Sequence, residues 1–278
     1  MRELAGRTAV VTGAGSGVGR GLSLAFAEAG MNVVVADIRL DAAEETCALL
    51  EPHGGQSLAA ATDVTDAEAM TALAARTADV FGDTHLLCNN AGVCLFGRLE
   101  EMSAADWAWL MSVNLQGVVH GLDAFLPGMR AHGQPAHIVN TASLAGLASF
   151  PSVGVYTASK FAVVGLSEVL EQELADTSIG VSVLCPAAVE SEIFESDKTR
   201  PAALGEAGAG ARMVSEDHVK NHGMPPLTVG RAVRQAVLDG DLYVFTHPNI
   251  RRHVDARHAR MVEAFDRWQA YFEACAPE

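Results

Sequence analysis

The stretch Thr8-Ala9-Val10-Val11-Thr12-Gly13-Ala14-Gly15-Ser16-Gly17-Val18-Gly19 decides how this 278-residue chain folds. Its first five residues are apolar or β-branched, as a buried strand requires. Glycines then recur at 13, 15, 17 and 19, ahead of a helix-like run over Arg20–Ala29 that Gly30 ends. Glycine in such a turn bends the chain sharply and lets backbone N–H groups come close to a diphosphate. The helix start adds unpaired donors and the positive end of a dipole. The spacing G-x-x-x-G-x-G differs from the commoner G-x-G-x-x-G, and a tight strand-to-helix turn alone would also account for the glycines. Asp37, however, closes a second strand, Asn32–Asp37, 18 residues beyond Gly19. A carboxylate there can accept both ribose hydroxyls of adenosine and repels a 2′-phosphate; the plain alternative is a helix cap. No basic residue precedes Gly17, and Ile38 follows Asp37, so NAD is expected over NADP, although Arg39 could swing toward a phosphate.

Working outward, short strand-like runs alternate with helical ones. Leu40–Leu50 reads as helix, broken by Gly54-Gly55; further strands are expected near Ser57–Thr62, His85–Cys88, His137–Asn140, Val181–Leu184 and Leu242–Phe245. These runs are continuously apolar, which suits strands covered on both faces. The order predicts an α/β fold: a single Rossmann-type, doubly wound parallel sheet with helices on both faces, residues 1–278 forming one domain. Two stretches depart from the alternation. Residues 190–226 are polar and glycine-rich and end in Pro225-Pro226, as a substrate-site lid would. Residues 250–273 form a terminal helix in which Ile250, Val254, Met261, Phe265, Trp268 and Phe272 share one face.

Charge narrows the function classes. With 34 acidic and 19 basic residues the net charge is -15, which repels phosphate backbones and argues against nucleic-acid partners. The N-terminus lacks an apolar signal segment and no run is long enough to cross a membrane, so a cytoplasmic protein is expected. Cys47, Cys88, Cys94, Cys185 and Cys275 show no paired spacing and read as free thiols. His218 and His222, four apart, could share a metal on a helix, but no third ligand is near, so no metal is expected. Arg251, Arg252, Arg257 and Arg260 read as a solvated helix face or a subunit contact.

Tyr156-Thr157-Ala158-Ser159-Lys160 places a phenol and an ammonium on one helical face. An ammonium beside a phenol lowers its pKa and fits it for proton transfer. At this point the chain resembles the short-chain dehydrogenase/reductase family over nearly its whole length. Thr12 to Gly19 is similar to that family's TGxxxGxG loop, with Gly13, Ser16, Gly17, Val18 and Gly19 as cofactor contacts. Asp63-Val64 resembles its adenine-contacting pair, and Asn89-Asn90-Ala91-Gly92 its NNAG motif. Asn114, Ser143, Tyr156 and Lys160 match its catalytic tetrad. Where the family has Pro-Gly and then threonine, this chain has Pro186-Ala187 and Ser191, which can still offer a hydroxyl to the nicotinamide amide, with Val189 beside it.

The resemblance implies an NAD(H)-dependent enzyme interconverting a secondary alcohol and its ketone. Tyr156 would exchange the proton, Lys160 would lower its pKa and bind the ribose, Ser143 would hold the substrate oxygen, and Asn114 would position a helix and a water. The wording around His137–Ser143, Ile179–Pro186 and Arg200-Pro201-Ala202 is similar to bacterial aryl-ether Cα-dehydrogenases. Expected pocket edges are Leu95, Phe96, Leu144, Leu147, Phe150, Val153, Val189, Ile193 and Phe194, which favour a bulky aryl or alicyclic substrate over a sugar. A steroid, sugar or acyl-thioester reductase, or a catalytically silent nucleotide-binding regulator, are the alternatives. Because Phe161–Leu166 keeps the Tyr156 helix apolar on more than one side, a homodimer or homotetramer is expected.

Overall fold

The computed structural model describes residues 1–205 and 223–275. They divide into two compact units, Met1–Thr246 and a second that begins at His247. In the first, seven strands form one sheet: β1 (Thr8–Thr12), β2 (Asn32–Asp37), β3 (Ser57–Ala61), β4 (Leu86–Asn89), β5 (Ala136–Thr141), β6 (Ile179–Leu184) and β7 (Tyr243–Val244). Every neighbouring pair is parallel, in the order β3-β2-β1-β4-β5-β6-β7. Between and after them run α1 (Gly17–Ala27), α2 (Leu40–Leu50), α3 (Ala67–Phe81), α4 (Ala104–Met111), α5 (Gly117–His132), α6 (Gly154–Glu173) and α7 (Pro226–Asp239). The doubly wound sheet is as the sequence predicts. Its order reverses between β1 and β4, and in such sheets ligands bind beyond the carboxyl ends of the strands at that point.

Residues along each strand alternate between two cores. Ala9 and Val11 of β1 pack with Leu22 and Phe26 of α1 and Val229 and Val233 of α7. Val10 joins the opposite layer with Met70 of α3, Phe125 and Met129 of α5, and Ile138. Each fully buried side chain of this size contributes about 1.5–3 kcal/mol. The strands β5 and β6 are longer than their apolar runs because polar residues inside them are paired. His137 is fully buried, its Nε2 2.8 Å from Ser182 Oγ, which in turn donates to Asp241 O at 2.6 Å. Burial holds the His137 imidazole down at about 3, so it is neutral in the folded chain.

Val163 and Val164 of α6 are buried within this chain against Val118, Ala142 and Val183. Val164 is therefore covered within the chain, while Phe161, Ala162 and Leu166 of the same apolar run are half-buried. Val169, by contrast, is exposed. In the second unit, α8 (Arg251–Ala274) buries none of its residues, and Met261, Phe265, Trp268, Tyr271 and Phe272 are exposed. No helix among the described residues is long and apolar enough to cross a membrane.

Candidate active site

The turn after β1 is shaped to receive a ligand on its backbone. Gly13 and Gly17 sit at φ +61° and +46°, where side-chain-bearing residues are strained. A Cβ on Gly13 would lie 2.7 Å from Ala91 Cα, and one on Gly17 would lie 2.7 Å from Ser191 Cβ. Ser16 stands at the N-cap of α1 without a side-chain hydrogen bond, and the first turn holds no acidic residue. The leading amides of α1 thus keep their donors for an anion. Thr46 of α2 braces the turn from behind, donating from Oγ1 to Ala14 O at 3.0 Å. At the end of β2, the buried Asp37 carboxylate accepts from Gly15 N at 2.8 Å and from Arg39 N at 3.0 Å. Asn90 fastens β1 to β4: its Nδ2 donates to Thr12 O at 3.0 Å, and its own N–H reaches Thr12 Oγ1 at 2.9 Å. Asp63 turns the chain into α3 by accepting from Thr65 N at 2.9 Å.

Next to this turn lie the four polar residues singled out by the sequence. Tyr156 and Lys160 are on α6, Ser143 follows β5, and Asn114 lies in a π-helical turn, Ser112–Gln116, between α4 and α5. Such wide turns are rare and frequent at functional sites. This one buries Asn114 completely; its Oδ1 accepts from Val93 N at 2.8 Å, and its Nδ2 donates to Val93 O at 2.9 Å and Ser159 Oγ at 3.0 Å. Asn114 thereby ties the irregular segment after Gly92 to α6, one residue from Lys160. Ser143 hydrogen-bonds the half-buried Tyr156 phenol. Lys160 Nζ donates to Thr141 O at 2.8 Å and stands 5.7 Å from the Tyr156 ring centroid.

The electrostatics correct one expectation. Burial pushes the Tyr156 phenol above its ordinary value, with the Ser143 bond opposing, rather than the ammonium pulling it down. Burial also lowers Lys160 to about 8. The reason is that Lys160 is almost fully enclosed, so desolvation of the ammonium outweighs the bond its Nζ donates to the Thr141 carbonyl. A second network underlies the group: Asn89 Nδ2 donates to Asn140 Oδ1 at 3.0 Å, and Asn140 Nδ2 donates to Ser167 Oγ of α6 at 3.0 Å.

The site residues expected from the sequence, apart from the buried Asn114, border one cavity of about 1130 Å³. Gly13, Ser16, Gly17, Val18, Gly19, Asp37, Ile38, Asp63, Val64, Asn90, Ala91, Gly92, Pro186, Val189 and Ser191 line it together with Ser143, Tyr156 and Lys160. Ala187 needs no glycine-only angle; among the described residues Ser152 is the one other than glycine with positive φ, at 63°, and it too lines the cavity. Of the expected apolar edges, Phe96, Leu144, Phe150, Val153, Val189 and Ile193 are in place. Leu95 is instead core, packed with Trp109, Leu110 and Val155, and Leu147 packs against the Val163–Val164 cluster. The side chain of Phe194, and His218 and His222, lie outside the described residues.

The sequence missed Trp109 and the Pro201–Leu204 wall. That wall is held by an ion pair hidden from solvent: Arg200 Nη1 lies 2.7 Å from Asp106 Oδ1, with side-chain exposures of 4% and 0%. Arg200 also covers the Trp109 ring at 5.3 Å and donates to Gly205 O at 3.0 Å. Asp106 caps α4 through Ser103, a pattern visible in Ser103-Ala104-Ala105-Asp106, but no spacing links it to Arg200.

Known proteins fit this geometry. The model of the short chain dehydrogenase family matches residues 7–202. A C alpha-dehydrogenase from Sphingobium sp. is 35% identical over 268 residues, 95% of this chain and 88% of that protein. A CLA biosynthesis dehydrogenase/reductase from Lactiplantibacillus plantarum is 30% identical over 94% of this chain and 95% of its own length. A short chain dehydrogenase/reductase from Burkholderia phymatum, solved in complex with NAD, superposes with a TM-score of 0.90 at 39% identity, covering 95% of this chain and 97% of that one. With the glycine turn, the Asn90 clasp and the Ser143–Tyr156–Lys160 group on one cavity, and with relatives matching end to end, the chain belongs to the short chain dehydrogenase family of oxidoreductases.

Proposed function

We propose that this protein is an NAD-dependent dehydrogenase that interconverts a bulky aryl or alicyclic secondary alcohol and its ketone. The observation that carries the proposal is the joining of Ser143, Tyr156 and Lys160 to a wall of Phe96, Phe150, Trp109 and Leu204 in one cavity. NAD suits the open amides at the start of α1 for its diphosphate and the buried Asp37 carboxylate for its adenosine ribose. The Burkholderia phymatum relative binds NAD, which supports the same assignment here. When bound, the nicotinamide carries the hydride.

The chain's own residues handle the proton. Ser143, bonded to Tyr156, is positioned to hold the substrate oxygen against the phenol. Tyr156 passes a proton to or from that oxygen, and Lys160, titrating near 8, shares the charge as a coupled partner. Asn114 acts through backbone: it fixes Val93 and Ser159, and so the spacing between the irregular segment after β4 and α6. In the same proposal the enzyme works in the cytoplasm as a homodimer or homotetramer; of the lid expected over 190–226, residues 206–222 lie outside the described residues. The test is a screen of aryl, alicyclic, steroid and sugar alcohols for NADH formation. Turnover of an aryl secondary alcohol is expected, in keeping with the similarity to a protein named C alpha-dehydrogenase. A preference for free sugars would overturn the substrate class, and equal kcat/KM with NAD and NADP would overturn the cofactor.

A further inference from the structure

Among the described residues lining the cavity, the cations are Lys160, beside Tyr156, and Arg39, two residues past Asp37. A nucleotide with a 2′-phosphate would bring about two negative charges to the Asp37 end and would need a cation there. Arg39 is in place for that task by sequence. Its guanidinium is already engaged: Nη2 lies 2.9 Å from Glu192 Oε2, a residue 153 positions away that follows Ser191 in the segment after β6. Both side chains are about half exposed, at 43% and 51%, so the pair adds little to stability. Its placement matters more. Glu192 joins Asp37 and Asp41 in holding the Arg39 charge, while the nearby Arg20 is turned to Gly15 O and Glu45.

We propose that Glu192 is a cofactor-specificity residue, which disfavours NADP by occupying Arg39, the cavity-lining arginine beside Asp37. Asp37 repels the phosphate directly; Glu192 removes the countercharge that could compensate. NAD makes no such demand on Arg39, so the pair discriminates without touching the reacting atoms. The proposal rests on the assignment of this cavity to NAD.

The test is fluorescence titration of NADH and NADPH on the unaltered protein, Glu192→Gln, Arg39→Ala and the double variant. Glu192→Gln should lower the ratio of the NADPH Kd to the NADH Kd roughly tenfold, from the Coulomb energy of one unit charge near a phosphate. In the Arg39→Ala background the same substitution should move that ratio by less than about threefold, because the arginine it releases is gone. A ratio that stays within about twofold in Glu192→Gln while NADH still binds overturns this inference alone. A full tenfold gain in the Arg39→Ala background also overturns it, since Glu192 would then act by direct repulsion. If the unaltered protein binds neither nucleotide, the cofactor assignment fails and this inference falls with it.

Discussion

The two ends of the cavity are built on different physical plans. The end at Asp37 is made of strand termini and helix starts: Gly13–Gly19, Asp37, Asp63 and Asn90–Gly92 each stand at or just past the end of a strand, and bonds between side chains and backbone hold them. The end at Trp109 is walled by short 3-10 turns, Ile193–Thr199 and Ala202–Leu204, that no sheet supports. One enclosed ion pair, Arg200–Asp106, and the bond from Cys94 N to Ser196 Oγ at 3.0 Å secure that wall. A family can therefore keep the first end while the second changes to suit a new substrate.

The contrast is broken most severely at the junction of the two ends. Tyr156→Phe removes the hydroxyl proposed to carry the proton and keeps the ring, so kcat should fall at least about 1000-fold while the NADH Kd stays near its original value. Steady-state rates beside an NADH titration check this; near-normal turnover would remove Tyr156 from the mechanism.

Asp106→Ala should come next. It strands the Arg200 charge in the protein interior, at a cost of about 3–5 kcal/mol. Urea unfolding reads the loss, and the KM for a bulky alcohol should rise with little change in NADH affinity. An equal loss of affinity for cofactor and alcohol would show that the two ends are not separately built. On the other side, Asp37→Ser combined with Ile38→Arg should move the NADP-to-NAD preference roughly a hundredfold toward NADP; kcat/KM with each cofactor decides it, and the preference among alcohols should be unmoved.

Smaller effects sharpen the picture. The Tyr156–Lys160 pair carries two protons below pH 8 and gives up one as Lys160 titrates at about 8. Alcohol oxidation, which needs an acceptor, should rise through that pH, and ketone reduction, which needs a donor, should fall. Rates that are flat from about pH 6.5 to 9.5 would refute the coupling. Along an alcohol series, each added methylene that reaches the apolar wall should improve kcat/KM about fourfold, from roughly 0.8 kcal/mol of transfer energy. A series with no slope would mean that the wall does not meet the substrate.

The first end was legible in the sequence because its parts are local. A strand, a glycine turn and a carboxylate fall within about 30 residues, and the strand bounds Thr8–Thr12 and Asn32–Asp37 follow from composition alone. The second end was not, since Asp106 and Arg200 meet only after the chain has crossed the sheet, and an arginine in a polar loop looks solvated until its partner is seen. Leu95 and Leu147 failed as pocket edges for a related reason. An apolar residue near a catalytic motif has no local mark that separates lining from core. The Tyr156–Lys160 spacing was readable, whereas the dominance of burial over attraction depended on how completely Lys160 is enclosed.

The bond from Asn140 to Ser167 does more than satisfy two buried groups. Lys160 and Tyr156 precede Ser167 by 7 and 11 residues, close to two and three whole turns, so the three share one side of α6. A peg fitted at Ser167 sets the angle of the whole shaft. Were α6 to roll by a single residue, about 100°, Ser167 would leave Asn140, and the phenol and ammonium would swing away with it. Asn140 is thus an index mark on the central sheet, cut well below the cavity, against which the bearing of the reactive groups is set.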